Sequence, residues 1–361
     1  MSRSALALLP PSATTGIGSL PHSQLELGLQ LALQLDIPYL PELPSGNPAE
    51  LMIASALEGF PGLRFDAEGM CTIDRRVWER EEGRFGAALE ASLRTSDLGP
   101  FEPSPAARRA WRPFLWEVQA RRLALAKAQL AGPATVRWGT RLSSGGPVAG
   151  DAAVDRQVFR LLLARSLAMV RALRAAGTTP LFYLDEPGLY ALDVDDGRHL
   201  LMLQEIRLLV VALQREGALV GLHCCGNTAW GAILGLGVDL LSFDVRLSLD
   251  ALLAEPGPLA AFLASGARLS LGIVPTDQEE EGSGEELAAA AEAALRSVLA
   301  RDELRPVLER TVLTPACGLA LRTVRDAERI MEALRRVRES LVRSGVTRRA
   351  VPFSALLRSG R

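Results

Sequence analysis

The sequence predicts an α/β protein: a single (β/α)8 TIM barrel with a hairpin-plus-helix insertion between strands 2 and 3. Three observations predict it. The second half repeats one grammar, an amphipathic helix, a glycine, then a short apolar strand. Eight candidate strands lie about 40 residues apart on average along the 361 residues, which suits βαβ units closed into a barrel. No Gly-x-Gly-x-x-Gly follows a strand and opens a helix, which weighs against a doubly wound dinucleotide-binding sheet.

In chain order, the first two strands are expected at 16–20 and 39–43. An insertion of about 57–126 follows. It contains a hairpin, 63–66 and 70–73 around Gly69, and then helical segments; it reads as a lid, an oligomer contact or a structural flap. The third strand is 127–131. A helix over 154–176 ends at Gly177 and leads into strand 181–184. A helix over 199–216 ends at Gly217 before strand 219–222. Strand 238–245 precedes a helix over 249–265 that ends at Gly266 before strand 269–273. Strand 311–314 completes the set. Glycine just past a helix is the expected C-terminal cap. Apolar runs flanked by such helices mark buried parallel strands. The whole of 1–361 is expected to be one domain.

Composition narrows the function. With 48% hydrophobic and 23% charged residues and a net charge of −2, the chain has neither the profile of a disordered segment nor the basic footprint of a nucleic-acid binder. Four cysteines in so long a chain, two of them adjacent, do not form a disulfide framework. The start Ser4-Ala5-Leu6-Ala7-Leu8-Leu9-Pro10-Pro11 is too short and too soon broken by proline for a signal peptide. No uncharged apolar run reaches a membrane span, so a cytoplasmic protein with reduced thiols and no membrane or nucleic-acid partner is expected. The 40 basic residues include one lysine, Lys127, which reads as a bias toward arginine codons.

Polar residues gather just beyond the expected strand ends, where a barrel builds its active site. His223-x-Cys225 is the sharpest element. Residues two apart at a strand end point the same way, and imidazole with thiolate is a zinc-like donor set. Cys317, at the end of the last strand, can supply a third ligand across the mouth. The alternative is that these are small buried hydrophobes. Asp185-Glu186-Pro187 ends another strand with two carboxylates, fit for acid–base work, for an ammonium group, or for helix capping and loop ion pairs. Asp244 stands either as a fourth ligand or partner to His223, or as a structural ion-pair partner. His22 and His199 carry weaker signals, and Glu279-Glu280-Glu281 reads as a wet acidic loop.

Five segments together resemble the C-terminal catalytic half of cobalamin-independent methionine synthase, in the superfamily shared with uroporphyrinogen decarboxylase. They are Thr15-Gly16-Ile17-Gly18-Ser19-Leu20-Pro21, Lys127-Ala128-Gln129-Leu130-Ala131-Gly132-Pro133-Ala134-Thr135, Leu184-Asp185-Glu186-Pro187-Gly188-Leu189, His223-x-Cys225 and Pro315-Ala316-Cys317-Gly318-Leu319. They fall in the family's order and span about 14–325. The resemblance implies a barrel with Zn2+ on His223, Cys225 and Cys317, the family's acidic ligand falling near Asp244. It implies a thiol amino acid, homocysteine, held by Ser19, Glu42 and Asp185. It implies methyl transfer to that thiol from methyltetrahydrofolate or a methylcorrinoid, possibly on a protein. Two departures stand out. The synthase is about twice as long, and its Asp-x-His after strand seven is replaced here by Gly272-Ile273-Val274-Pro275-Thr276-Asp277. That leaves Asp277 or His22 as stand-ins for protonating the leaving group. Competing expectations are a metal-free decarboxylase-like enzyme and a non-catalytic zinc- or thiol-binding barrel.

Overall fold

The computed structural model describes residues 2–277, 284–297 and 301–343. Ten strands occur among them: β1 Ala13–Thr14, β2 Leu63–Phe65, β3 Cys71–Ile73, β4 Leu125–Ala131, β5 Thr140–Leu142, β6 Thr179–Asp185, β7 Leu219–Cys224, β8 Leu240–Asp244, β9 Arg268–Val274 and β10 Val312–Pro315. Seven form one curled, all-parallel sheet in the order β1-β10-β9-β8-β7-β6-β4. This is a TIM-like half-barrel, with helices packed on its outer side.

The sheet departs from the expected eight regular strands at its beginning. Regular pairing of the first strand falls at Ala13–Thr14, upstream of 16–20. The segment 39–43 is not a ladder; it touches its neighbours through isolated parallel bridges, Tyr39 with Lys127 and Ser19 with Glu42. The Leu40 N–H donates to the Lys127 carbonyl at 2.9 Å, and the Glu42 N–H to the Gly18 carbonyl at 3.1 Å. Pro38, Pro41 and Pro44 explain the interruption, because each removes a backbone donor a continuous strand needs. The two edges of the half-barrel are thus linked through this segment.

Alternation sorts the strand residues between two clusters. Ala126, Ala128, Leu130, Phe182, Leu184, Val220 and Leu222 pack toward the helices. Leu125, Leu181, Tyr183, Leu219, Leu240 and Val312 form the inner cluster, which Leu6 and Leu9 of the N-terminal turn plug. Lys127, Gln129, Asp185, His223 and Ser242 share the parity of that inner set. The inner face therefore runs from apolar at one end, through Lys127, to Asp185 and His223 at the C-terminal ends of the strands. Gly221 makes room for an inward ring: a Cβ there would lie 2.5 Å from Tyr183.

The helices mostly follow the expected grammar. Those at Ala152–Ala175 and Gly197–Arg215 are followed by Gly177 and Gly217 at φ +88° and +87°, a left-handed backbone that glycine adopts without strain. The helix expected over 249–265 is instead two, Val245–Leu253 and Pro256–Ala264, bent by 99°. Pro256 starts the second one, since it cannot continue the first. The hairpin forms as β2 against β3, with β5 added parallel to β3 into a separate three-stranded sheet. No single helix among the described residues is long and apolar enough to cross a membrane. The acidic run 279–281 lies outside the described residues.

Candidate metal centre

His223 is the next-to-last residue of β7 and Cys225 follows its end, so their shared direction is a consequence of strand alternation. Cys317 follows β10, two strands past β8 in the sheet. The ligand atoms of these three residues lie within 4.8 Å of one another. A tetrahedral zinc with Zn–S of about 2.3 Å and Zn–N of about 2.0 Å places its donors roughly 3.5–3.8 Å apart, so small side-chain rotations bring the trio to that geometry.

The imidazole supplies an independent test. His223 is 3% exposed; its Nδ1 lies 3.0 Å from the Ser242 Oγ, while its Nε2 has no hydrogen-bond partner. An orphaned buried ring nitrogen is costly unless something binds it. A neutral ring with Nδ1–H donating to serine presents the Nε2 lone pair, as a metal ligand must. The residues present fit a metal such as zinc.

The two thiols are shifted in opposite directions. The hydrogen bond from Cys225, reinforced by His223, pulls the Cys317 thiol well below its ordinary range, and the same bond, with burial, pushes Cys225 up. Cys224 points the other way into the helix-facing core, with its Sγ 3.3 Å from the Gly226 carbonyl. All four cysteines are free.

The trio lines one wall of a cavity of about 420 Å³ that Ser19, Glu42 and Asp185 also line. Leu51, Met52 and Ile53 wall it from the segment before the hairpin, and Glu68 and Gly69 from the hairpin turn. Asp185, 5% exposed, keeps its Oδ1 without a partner. Burial raises its pKa, opposed most strongly by the charge of Lys127. Glu42 forms a buried ion pair with Arg108 at 2.9 Å and accepts from the Gln129 amide at 3.2 Å. The Ser19 Oγ accepts from the Ala320 N–H at 3.3 Å, and Gly318 leaves it room, since a Cβ there would lie 2.4 Å away.

The adjacent carboxylates diverge. Glu186 turns out of the cavity and accepts from the Ala134 N–H at 3.0 Å and from the Thr135 N–H and Oγ1 at 2.7 Å each. Burial nonetheless pushes it up to about 7. It caps the short helix Pro133–Gly139.

Asp244 and Asp277 lie away from the trio. The Asp244 Oδ1 accepts from the Arg246 and Leu247 N–H groups and caps the helix Val245–Leu253, so the group of candidate ligands contains no carboxylate. Ser242, not Asp244, is the hydrogen-bonding partner of His223. Asp277 is exposed and paired with Arg246, outside the cavity lining. His22 is buried, 3.9 Å from Glu328, and does not line the cavity. His199 lies in the first turn of its helix, where its Nδ1 accepts from the Asp193 N–H.

Two features escaped the sequence reading. Ser242 sits between the apolar Leu241 and Phe243 of β8, directly opposite His223 in register, and that lone hydroxyl was the available signal. Lys127 is 1% exposed inside the half-barrel, donating to the Ile17 carbonyl and to Gln129 Oε1, with its Nζ 4.8 Å from the Tyr183 ring centre. Its signal was its uniqueness among the basic residues.

The sequence matches no protein-family model and no curated protein.

Proposed function

We propose that the protein is a zinc-dependent methyltransferase that methylates the thiol of homocysteine to give methionine, drawing on methyltetrahydrofolate or a methylcorrinoid. The observation that carries this reading is one cavity lined both by three convergent ligands with an orphaned imidazole nitrogen and by a buried carboxylate with a free oxygen. The five sequence segments that resemble the methionine synthase family support it.

His223, Cys225 and Cys317 would hold the zinc. Its chemistry would be to keep a bound substrate thiol deprotonated, since a free thiol with a pKa near 8.5 is mostly protonated at neutral pH. Asp185 supplies the acceptor for a substrate ammonium, with Glu42 as a second carboxylate already balanced by Arg108. Ser19 and the backbone beside Gly318 stand where a substrate carboxylate finds hydrogen-bond donors rather than a cation. Among the described residues no lysine or arginine lines the cavity, so recognition there favours the ammonium end over a second acidic group. Held at three points, the sulfur is aimed at the incoming methyl carbon, and such positioning is worth several kcal/mol.

A metal-free decarboxylase leaves the convergence of His223, Cys225 and Cys317 without a purpose. The test is metal analysis of protein purified under reducing conditions, followed by homocysteine methylation assays with methyltetrahydrofolate and with methylcobalamin. Stoichiometric zinc, lost in Cys317→Ser, with methionine formed from one donor, is the expected result. Protein free of zinc under those conditions would sink the proposal.

A further inference from the structure

The helix Gly197–Arg215 has two apolar sides. Met202, Leu203, Ile206, Leu209, Val210 and Leu213 are buried against the half-barrel. On the outside, Leu201 and Leu208 are 60% and 62% exposed, with Leu200 and Val211 beside them at 43% and 36%. A surface helix of a monomeric domain carries one apolar stripe and a polar opposite face. The outer positions Leu201, Gln204, Leu208, Val211 and Arg215 recur at alternating steps of three and four, the spacing of a helix-pairing seam.

From this spacing we infer that the outer face of Gly197–Arg215 pairs with the same helix of a second copy of the chain, antiparallel across a two-fold axis. The occupant follows from charge. Of the acidic residues leading into the helix, Asp196 is paired with Arg198 at 2.6 Å, which leaves Asp193 and Asp195, while Arg207 in its middle and Arg215 at its end are exposed and make no ion pair among the described residues. An antiparallel pairing centred on 206 sets Leu201 opposite Val211 and Gln204 opposite Leu208. It brings Arg215 within a turn of the partner's acidic start, twice over, as a two-fold contact requires. A parallel pairing would set the acidic starts side by side.

The experiment is sedimentation equilibrium of the full chain across a range of concentrations, in low and high salt. A particle of twice 38.7 kDa is expected. Leu208→Glu should weaken the dimer by at least about 30-fold, the effect of losing a central contact. Its circular dichroism and melting curve should match the unmutated chain, because the side chain faces solvent in one copy. Arg215→Asp should weaken the dimer in low salt, and Arg215→Asp with Asp193→Arg and Asp195→Arg should restore it. A monomer at every concentration overturns the inference. So does a dimer that persists in Leu208→Glu, or a charge exchange that fails to restore it.

Discussion

The His223 Nδ1 lies 3.0 Å from the Ser242 Oγ across the register pair that joins β7 to β8. The contact fixes the ring plane and leaves Nε2 facing Cys225 and Cys317. Removing such an orienting partner typically costs 10–100-fold in metal affinity. Ser242→Ala should therefore weaken zinc binding by about that factor, read by competition with a chromophoric chelator, with the melting temperature of the metal-free protein little changed. Unaltered affinity would mean that packing alone holds the ring.

Asp185 lines the cavity and keeps its Oδ1 without a hydrogen-bond partner, while its neighbour Glu186 spends both oxygens on the helix Pro133–Gly139. Asp185→Asn should raise the KM for homocysteine by roughly 10–100-fold, the loss of one charge-assisted hydrogen bond, with zinc content intact. An unchanged KM would place the ammonium elsewhere.

Gly132 passes so close to Glu186 that a Cβ would lie 2.2 Å from Oε1. Gly132→Ala must push the carboxylate off its three donors or move the turn. Glu186→Ala strands the same donors in the interior. Each change should lower stability by about 2–4 kcal/mol, measured by urea denaturation with zinc bound. A loss below ~0.5 kcal/mol in both would show that water replaces the carboxylate.

Much of the site was legible because it follows from strand alternation. His223 and Cys225 differ by two positions, so any strand there points both to one centre, and Cys317 needed only the parallel order to arrive. What stayed hidden depends on neighbours far apart in the chain. The split of Asp185 from Glu186 requires knowing that Gly132 sits beside them. The choice of Ser242 over Asp244 requires the register of β7 on β8, because Asp244 had a local use as a helix cap that the sequence also permits. The segment 39–43 lies between the sheet edges but forms no ladder for a simpler reason: its apolar pattern is that of a strand, and Pro41 with its flanking prolines is not.

Lys127 lies at the centre of that inner face. Its Nζ holds the Ile17 carbonyl and Gln129, and Gln129 in turn holds Glu42. Burial lowers its pKa, opposed by Asp185 and then Glu42. Replacing it by methionine leaves two buried carboxylates with only Arg108 between them and a carbonyl without its donor. Removing one partner of a buried ionic group costs about 3–5 kcal/mol, so Lys127→Met should be destabilised on that scale in thermal or urea unfolding. Combining it with Asp185→Asn should recover part of the loss, since the second change removes the charge the first stranded. Lys127→Arg should not rescue. Every other basic residue of the chain is arginine, yet the space between the Tyr39 and Tyr183 rings, 5.9 and 4.8 Å from Nζ, suits a compact ammonium and not a planar fork of five donors. A Lys127→Arg protein as stable as the unmutated chain would return the lone lysine to codon bias.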